Sequence, residues 1–153
     1  MGMKELEQAI VQQRVISVDT MIFIYFLDRN PRYFEMSELI LKSIESGTVQ
    51  GVISILAIAE LLTTPAKAND TQTAHQLEMY LRNFPNLQIK DVDINVARTA
   101  AQIRANSGLK MPDAIQIATA IVAGADAIIG NDKQWRNKFM QPQLLLLDSF
   151  LES

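Results

Sequence analysis

Four carboxylates in this 153-residue chain stand where charge is costly. Asp19 falls at the seam between Val15-Ile16-Ser17-Val18 and Met21-Ile22-Phe23-Ile24-Tyr25-Phe26. Glu60 lies inside Ile53-Ser54-Ile55-Leu56-Ala57-Ile58-Ala59-Glu60-Leu61-Leu62, Asp113 interrupts Met111-Pro112-Asp113-Ala114-Ile115-Gln116-Ile117, and Asp132 follows Ala127-Ile128-Ile129-Gly130-Asn131. A carboxylate held against apolar sequence needs a partner, and four brought together raise one another's pKa. One or two divalent cations resolve that conflict. Ligation by oxygen alone favours Mg2+ or Mn2+, whereas Zn2+ prefers the nitrogen and sulfur ligands of which this chain offers one His and no Cys. The chemistry such a centre supports is activation of water and stabilisation of a leaving oxygen in phosphodiester cleavage.

The elements that must position these acids follow from the apolar pattern. Runs of four or five apolar residues alternate with longer stretches of helical period, as in a parallel sheet covered by helices. The expected strands are Val15–Val18, Val49–Ser54, Leu87–Lys90, Ala127–Gly130 and Gln143–Leu147. The expected helices are Thr20–Leu27, a stripe from Phe34 to Ile44 stopped by Gly47, Leu56–Thr63 closed by Pro65, Thr71–Asn83, a helix from Ile94 to about Asn106 capped by Asp93 and stopped by Gly108, and one opened by Pro112-Asp113 that runs to Val122. Residues 1–13 form an N-terminal extension, a helix outside the alternation with Leu6, Ile10 and Val11 on one side. In open parallel sheets the ligand crevice lies beyond the carboxyl ends of the strands. Asp19, Glu60 and Asp132 each follow a strand and so face that edge, and Asp113 joins them from the first turn of its helix.

The length suits one domain, taken as residues 1–153, and is short for two. A hydrophobic fraction of 48% argues for a packed core and against disorder. No apolar run approaches the roughly 18 residues of a membrane span, and the charged start Met1-Gly2-Met3-Lys4-Glu5-Leu6-Glu7 lacks the apolar segment of a signal peptide. Together with the lack of cysteine, this makes the cytoplasm the expected location. The net charge is −3, which becomes +1 once the four site carboxylates are set aside, so the remaining surface is near neutral and tolerates a nucleic-acid substrate.

Each acid has an ordinary reading when taken singly. Asp113 after Pro112 suits a helix cap, and Asp19 and Asp132 suit loop-side caps. Glu60 is harder to explain away, since its neighbours Ile58, Ala59, Leu61 and Leu62 are all apolar. Asp91 and Asp93 also follow a strand and could supply carboxylates, but capping of the Ile94 helix explains Asp93 more simply and Asp91 reads as solvated. Asp126 stands at the wrong end of its strand, His75 on a polar helical surface, and Trp135 reads as a packing residue of the loop after Asp132, with base stacking as its alternative.

The set of four resembles a known family. Val18-Asp19-Thr20, Ala59-Glu60-Leu61, the stretch from Leu109 to Ala120 around Pro112-Asp113-Ala114, and Gly124-Ala125-Asp126-Ala127-Ile128-Ile129-Gly130-Asn131-Asp132 are similar in order, spacing and flanking residues to the PIN-domain nucleases, and to their VapC-type ribonuclease toxins in particular. The resemblance runs from about Val15 to the end of the chain. It implies a three-layer α/β/α sandwich around a five-stranded, mostly parallel sheet. It also implies Mg2+- or Mn2+-dependent hydrolysis of RNA to 5′-phosphate and 3′-hydroxyl products, a homodimer, and a small antitoxin protein as partner. Asp19, Glu60, Asp113 and Asp132 match the acidic quartet that binds metal and carries catalysis, with Thr20 and Asn131 as supporting residues. Gly130 departs from the pattern: a Thr or Ser commonly stands there, and its hydroxyl is missing. The N-terminal extension is also longer than in the compact toxins.

Lys133, Arg136 and Lys138 follow Asp132, while Arg104 and Lys110 precede Asp113; Lys110, Lys133 and Arg136 are the candidate clamps for RNA phosphates. Parts of the Phe34–Ile44 and Leu56–Leu62 stripes are candidates for an antitoxin groove or a dimer contact. Two other classes fit the chain less well. An aspartate-based phosphatase using Asp19 as nucleophile would place a second acid two residues on, where Met21 stands. A non-cutting scaffold for RNA or protein would have no use for all four acids.

Overall fold

The computed structural model describes residues 2–151; Met1 and residues 152–153, the ends of the span read as one domain, lie outside the described residues. The element order is α1 (Gly2–Val11), β1 (Val15–Val18), α2 (Thr20–Leu27), α3 (Phe34–Glu45), β2 (Gln50–Ser54), α4 (Ile55–Lys67), α5 (Thr71–Arg82), β3 (Leu87–Lys90), α6 (Ile94–Ser107), α7 (Met111–Val122), β4 (Ala127–Gly130) and β5 (Gln143–Leu146). Short 3-10 turns at Lys133–Trp135 and Leu147–Phe150 complete it.

The strands form one five-stranded sheet in the order β3-β2-β1-β4-β5, and every neighbouring pair is parallel. Parallel strands need covered faces, and side chains alternate between the two. Ile16, Val18, Ile53, Ala127 and Ile129 join the helices α1 to α5 in the larger core, whereas Ile128 packs with α7 and Trp135 on the opposite face, where α6 lies against α7. The fold is therefore the three-layer α/β/α sandwich expected from the sequence. After β3 the chain crosses back to the far side of β1, so the strand order reverses between β1 and β4. A parallel α/β sheet opens its ligand crevice at such a switch point.

The extension before β1 is a helix, as expected, and it is part of the core. Leu6 and Ile10 are fully buried in the larger cluster, while Val11, expected on their side, turns out to be exposed. Asp126 ties this segment down at the amino edge of the sheet: its Oδ2 accepts the backbone N–H of Arg14 at 2.8 Å and of Val15 at 3.1 Å. That position, at the wrong end for the site, agrees with the sequence reading.

One helix boundary differs. Pro65 does not close α4 but sits buried within it, and the helix continues to Lys67. A proline there removes one backbone hydrogen bond. Its ring lies one turn beyond Leu61 and two beyond Ala57, both buried, so it extends the apolar stripe that holds the helix in place.

Candidate active site

The backbone brings Asp19 and Asp132 out of adjacent strands. Val18 pairs with Ile129, and the Asp19 N–H continues the ladder by donating to the Ile129 carbonyl at 2.9 Å. Asp19 is the N-cap residue of α2, in extended conformation, and is 5% exposed. Asp132 emerges two residues after the end of β4 and caps the turn Lys133–Trp135, its Oδ1 accepting the Gln134 N–H at 2.9 Å. Asp113 sits in the first turn of α7, whose N-cap is Lys110; it is therefore inside the helix, where a cap was one reading.

Glu60 reaches the same edge from α4. It is exposed, contrary to what its apolar neighbours suggested, because Ala57, Leu61 and Pro65 define the buried stripe and Glu60 falls beside it. Thr20 holds it: the Thr20 hydroxyl donates to Glu60 Oε1 at 2.8 Å. Thr20 thus joins the residue after Asp19 to a second acid.

The four charges feel one another. Burial, and then the charge of Glu60, push the Asp19 carboxyl up from 3.8 to about 7; the Gln116 side chain and the Met21 backbone N–H oppose the rise, and Asp113 adds to it. Asp113 is also raised, by burial first and the Asp132 charge second, with the Trp135 side chain pulling it down, Glu60 pushing it up and Lys110 pulling it down. Asp19, Glu60, Asp113 and Asp132 are therefore linked through space.

Gly130 leaves room for this arrangement. A Cβ built there would stand 3.1 Å from both Cβ and Oδ2 of Asp19, so a side chain at this position would touch the most buried carboxyl of the set directly. Among the described residues no three His, Asp or Glu side chains converge closely enough to hold a metal ion as they stand. The site fits a divalent cation by charge and donor chemistry: its acids offer hard oxygen donors, burial and neighbouring charges oppose ionisation of Asp19 and Asp113, and none of the ion pairs among the described residues engages the four.

Asn131 is fastened on both sides. Its Nδ2 donates to the Tyr25 hydroxyl at 3.3 Å and its Oδ1 accepts the Asp148 N–H at 3.0 Å. Asp148 in turn accepts the Tyr33 hydroxyl at 2.6 Å and pairs with Lys133 at 3.6 Å, and the Tyr25 and Tyr33 rings stack at 4.4 Å. This network joins α2, the segment before α3, the exit of β4 and the turn Leu147–Phe150 next to Asp132.

The basic candidates separate by what they touch. Lys110 is exposed and near enough to act on Asp113. Lys133 is tethered to Asp148, and Arg136 borders a shallow pocket with Phe139 and Leu144. Arg104 donates to the Leu109 carbonyl at 3.0 Å and Lys138 to the Ser107 carbonyl at 3.4 Å, so both fasten the loop that leads into α7. Sequence reasoning missed Gln116, Tyr25, Tyr33 and Asp148. Gln116 carried a signal, being the one polar side chain in Ala114–Ala118 and three residues from Asp113 on the same helix. The others make contacts 106 to 115 residues away in the chain, which no local pattern announces.

Comparison with known proteins gives a consistent picture. Residues 16–138 match the PIN domain family model. No match is found among curated proteins. Among solved structures the chain is similar to a toxin-antitoxin complex from Klebsiella pneumoniae, with a TM-score of 0.66 and 20% identity, covering 86% of this chain and 97% of that one. It is also similar to VapBC2 from Rickettsia felis bound to a DNA fragment from their promoter (TM-score 0.62, 18% identity, 86% and 98% covered). A third is FitAcB from Neisseria gonorrhoeae (TM-score 0.62, 21% identity, 86% and 97% covered). At these identities the structural likeness speaks for the fold, and the family model, which spans most of the chain including all four acids, speaks for descent. The chain belongs to the PIN domain family.

Proposed function

We propose that this chain is a metal-dependent endoribonuclease, a single-domain cytoplasmic protein acting as the toxin of a toxin–antitoxin pair. The observation that carries the reading is the electrostatic coupling of Asp19, Glu60, Asp113 and Asp132 at the β1/β4 switch point, with Asp19 buried and raised to about 7. Those four residues would hold Mg2+ or Mn2+. Such an ion, when bound, neutralises the carboxylates and supplies Lewis acidity at a scissile phosphate. Thr20 orients Glu60, Gln116 faces Asp19, and the clamp on Asn131 fixes the direction in which Asp132 leaves β4. Lys110, on the rim beside Asp113, attracts the RNA backbone, with Lys133 and Arg136 further out.

The antitoxin and the second subunit are proposed on the same footing. Next to Glu60 runs a largely apolar groove of about 510 Å3 between α2, α4 and α5, bordered by Ile24, Phe26, Leu61, Pro65 and Leu77. A groove of that kind accepts the apolar face of a partner segment, and it supports the reading that α4 contributes to partner binding. Among the described residues no helix is long and apolar enough to cross a membrane.

The test is direct. Purified protein free of any antitoxin is incubated with total RNA and Mg2+ or Mn2+, with EDTA as control and the Asp19→Asn variant beside it. Cleavage that needs the ion and Asp19 supports the proposal. RNA binding without cleavage would replace the nuclease with a non-cutting scaffold, and full activity in EDTA would remove the metal.

A further inference from the structure

We infer that Trp135 is a positioning residue of the candidate site, its indole N–H kept as the hydrogen-bond donor that seats the Asp113 carboxylate. The inference deepens the nuclease reading and rests on it for its activity arm only. Trp135 is the sole tryptophan of the chain, and it is 1% exposed. Among the described residues its Nε1 completes no hydrogen bond of good geometry, although it stands near enough to the Asp113 carboxyl to favour its charged form. A buried tryptophan usually finds one, because desolvating the N–H without compensation is costly. An orphaned donor in a native fold therefore points to a role.

The surroundings place the ring beside the helix that carries Asp113. The ring belongs to one buried cluster with Leu109, Ile117, Ala120 and Ile128. Ile117 and Ala120 stand four and seven residues after Asp113 on α7, which puts all three on one face of the helix. Trp135 is thus laid along the Asp113 face, and its N–H favours the ionised Asp113 carboxyl. Phenylalanine would keep part of the apolar packing in a smaller ring and would lack the N–H altogether.

The turn that carries the ring belongs to the site as well. Trp135 closes the 3-10 turn Lys133–Trp135, which Asp132 caps through the Gln134 N–H. One short turn therefore links the last acid of the quartet to the donor facing the third. Asp132 and Asp113, from different elements, are set relative to each other by this ring.

A single tryptophan makes the inference testable without turnover. In 15N-labelled full-length protein the one indole N–H gives one resonance. It should move downfield on titration with Mg2+ alone, and Asp113→Asn should shift it in the metal-free protein and abolish the Mg2+ response. Trp135→Phe should melt within a few degrees of the wild type but cleave RNA with a kcat about tenfold to a hundredfold lower, the worth of one hydrogen bond to a charged group, at nearly unchanged KM. An indole resonance indifferent to both Asp113→Asn and Mg2+, or a Trp135→Phe variant with wild-type kcat, overturns the inference. A wild type that does not cleave RNA refutes the nuclease reading instead, and the Asp113→Asn shift then decides the positioning role. If Trp135→Phe fails to fold, the same shift decides it.

Discussion

Asp19→Asn is expected to stabilise the metal-free protein at alkaline pH while abolishing cleavage. Asp19 is 5% exposed, and its carboxyl is displaced upward from 3.8 to about 7, by burial first and by Glu60 second. A raised folded-state pKa means that the folded protein binds the proton more tightly than the unfolded chain does. The favourable contribution is then fully present below pH 3.8 and is lost as the pH climbs through about 7. At about 1.4 kcal/mol per pH unit, the gap between 3.8 and about 7 comes to roughly 4 kcal/mol at pH 8. For a chain of this size, at about 2–4 °C per kcal/mol, that is a difference of about 8–16 °C in Tm. Asparagine carries no charge at any pH and escapes the loss.

The assay is urea unfolding of both proteins in EDTA at several pH values from 4 to 8. The difference in unfolding free energy, variant minus wild type, should grow by roughly 4 kcal/mol across that window and level off above the folded pKa. Added Mg2+ at pH 8 should then raise the stability of the wild type much more than that of the variant, since a ligand stabilises the state that binds it. Parallel pH profiles for the two proteins would refute the reasoning: the buried carboxylate would then carry no electrostatic penalty for a cation to relieve.

Three further changes probe the rest of the design. Thr20→Val removes the 2.8 Å bond to Glu60; because Glu60 is exposed, stability should change by less than about 1 kcal/mol, whereas kcat should fall about tenfold, and an unchanged kcat would count against orientation of Glu60 by Thr20. Gly130→Ser places a Cβ 3.1 Å from Asp19 Oδ2 and brings a hydroxyl within reach, so the Asp19 pKa should drop below about 7 and the pH dependence of stability should flatten in the same urea series; a steeper dependence would show that steric crowding wins. Leu6→Ala should cost about 2–5 kcal/mol in urea unfolding, because Leu6 is fully buried against the main core; a loss under about 1 kcal/mol would show that α1 is an appendage.

What was legible in the sequence follows from the range of the interactions involved. Each strand of a parallel sheet is buried on both faces, so it announces itself as a short apolar run, and Val15–Val18 and Ala127–Gly130 have the bounds expected of them. Asp19 stands out because it follows a strand directly, and Asp93 and Gly108 bracket α6 as cap and left-handed stop. Pro65 misleads because the usual rule concerns backbone hydrogen bonding, while the outcome depended on burial of its ring in a core assembled from distant elements. Glu60 misleads for a related reason. When nearly every neighbour is apolar, periodicity cannot say which face is inward, and the Ala57–Leu61–Pro65 stripe becomes visible only once α4 is packed. The network of Tyr25, Tyr33, Asn131 and Asp148 and the approach of the Trp135 indole to Asp113 depend on residues far apart in the chain, and they had no local signature.

The placement of the chain's own cations bears on why the acids stay costly. Asp19 occupies the N-cap position of α2, Asp113 lies in the first turn of α7 and Asp132 caps a 3-10 turn, so three of the four stand at the positive ends of backbone turns. That arrangement is worth about 0.3–1 kcal/mol per charge near a helix terminus, well short of the roughly 4 kcal/mol that ionising Asp19 costs. A basic side chain would close the gap, yet none of the ion pairs among the described residues reaches Asp19. Lys133 pairs with Asp148, Lys90 with Asp93, Arg104 serves the Leu109 carbonyl and Lys138 the Ser107 carbonyl, leaving Lys110 to act on Asp113. A protein built for stability alone would gain by turning one of these groups inward or by replacing Asp19 with an apolar residue. Keeping these carboxylates together, with Asp19 buried and joined to no basic side chain, makes sense when the counter-charge comes from outside. The expected gain in stability of Asp19→Asn measures what that arrangement costs the protein when no cation is present.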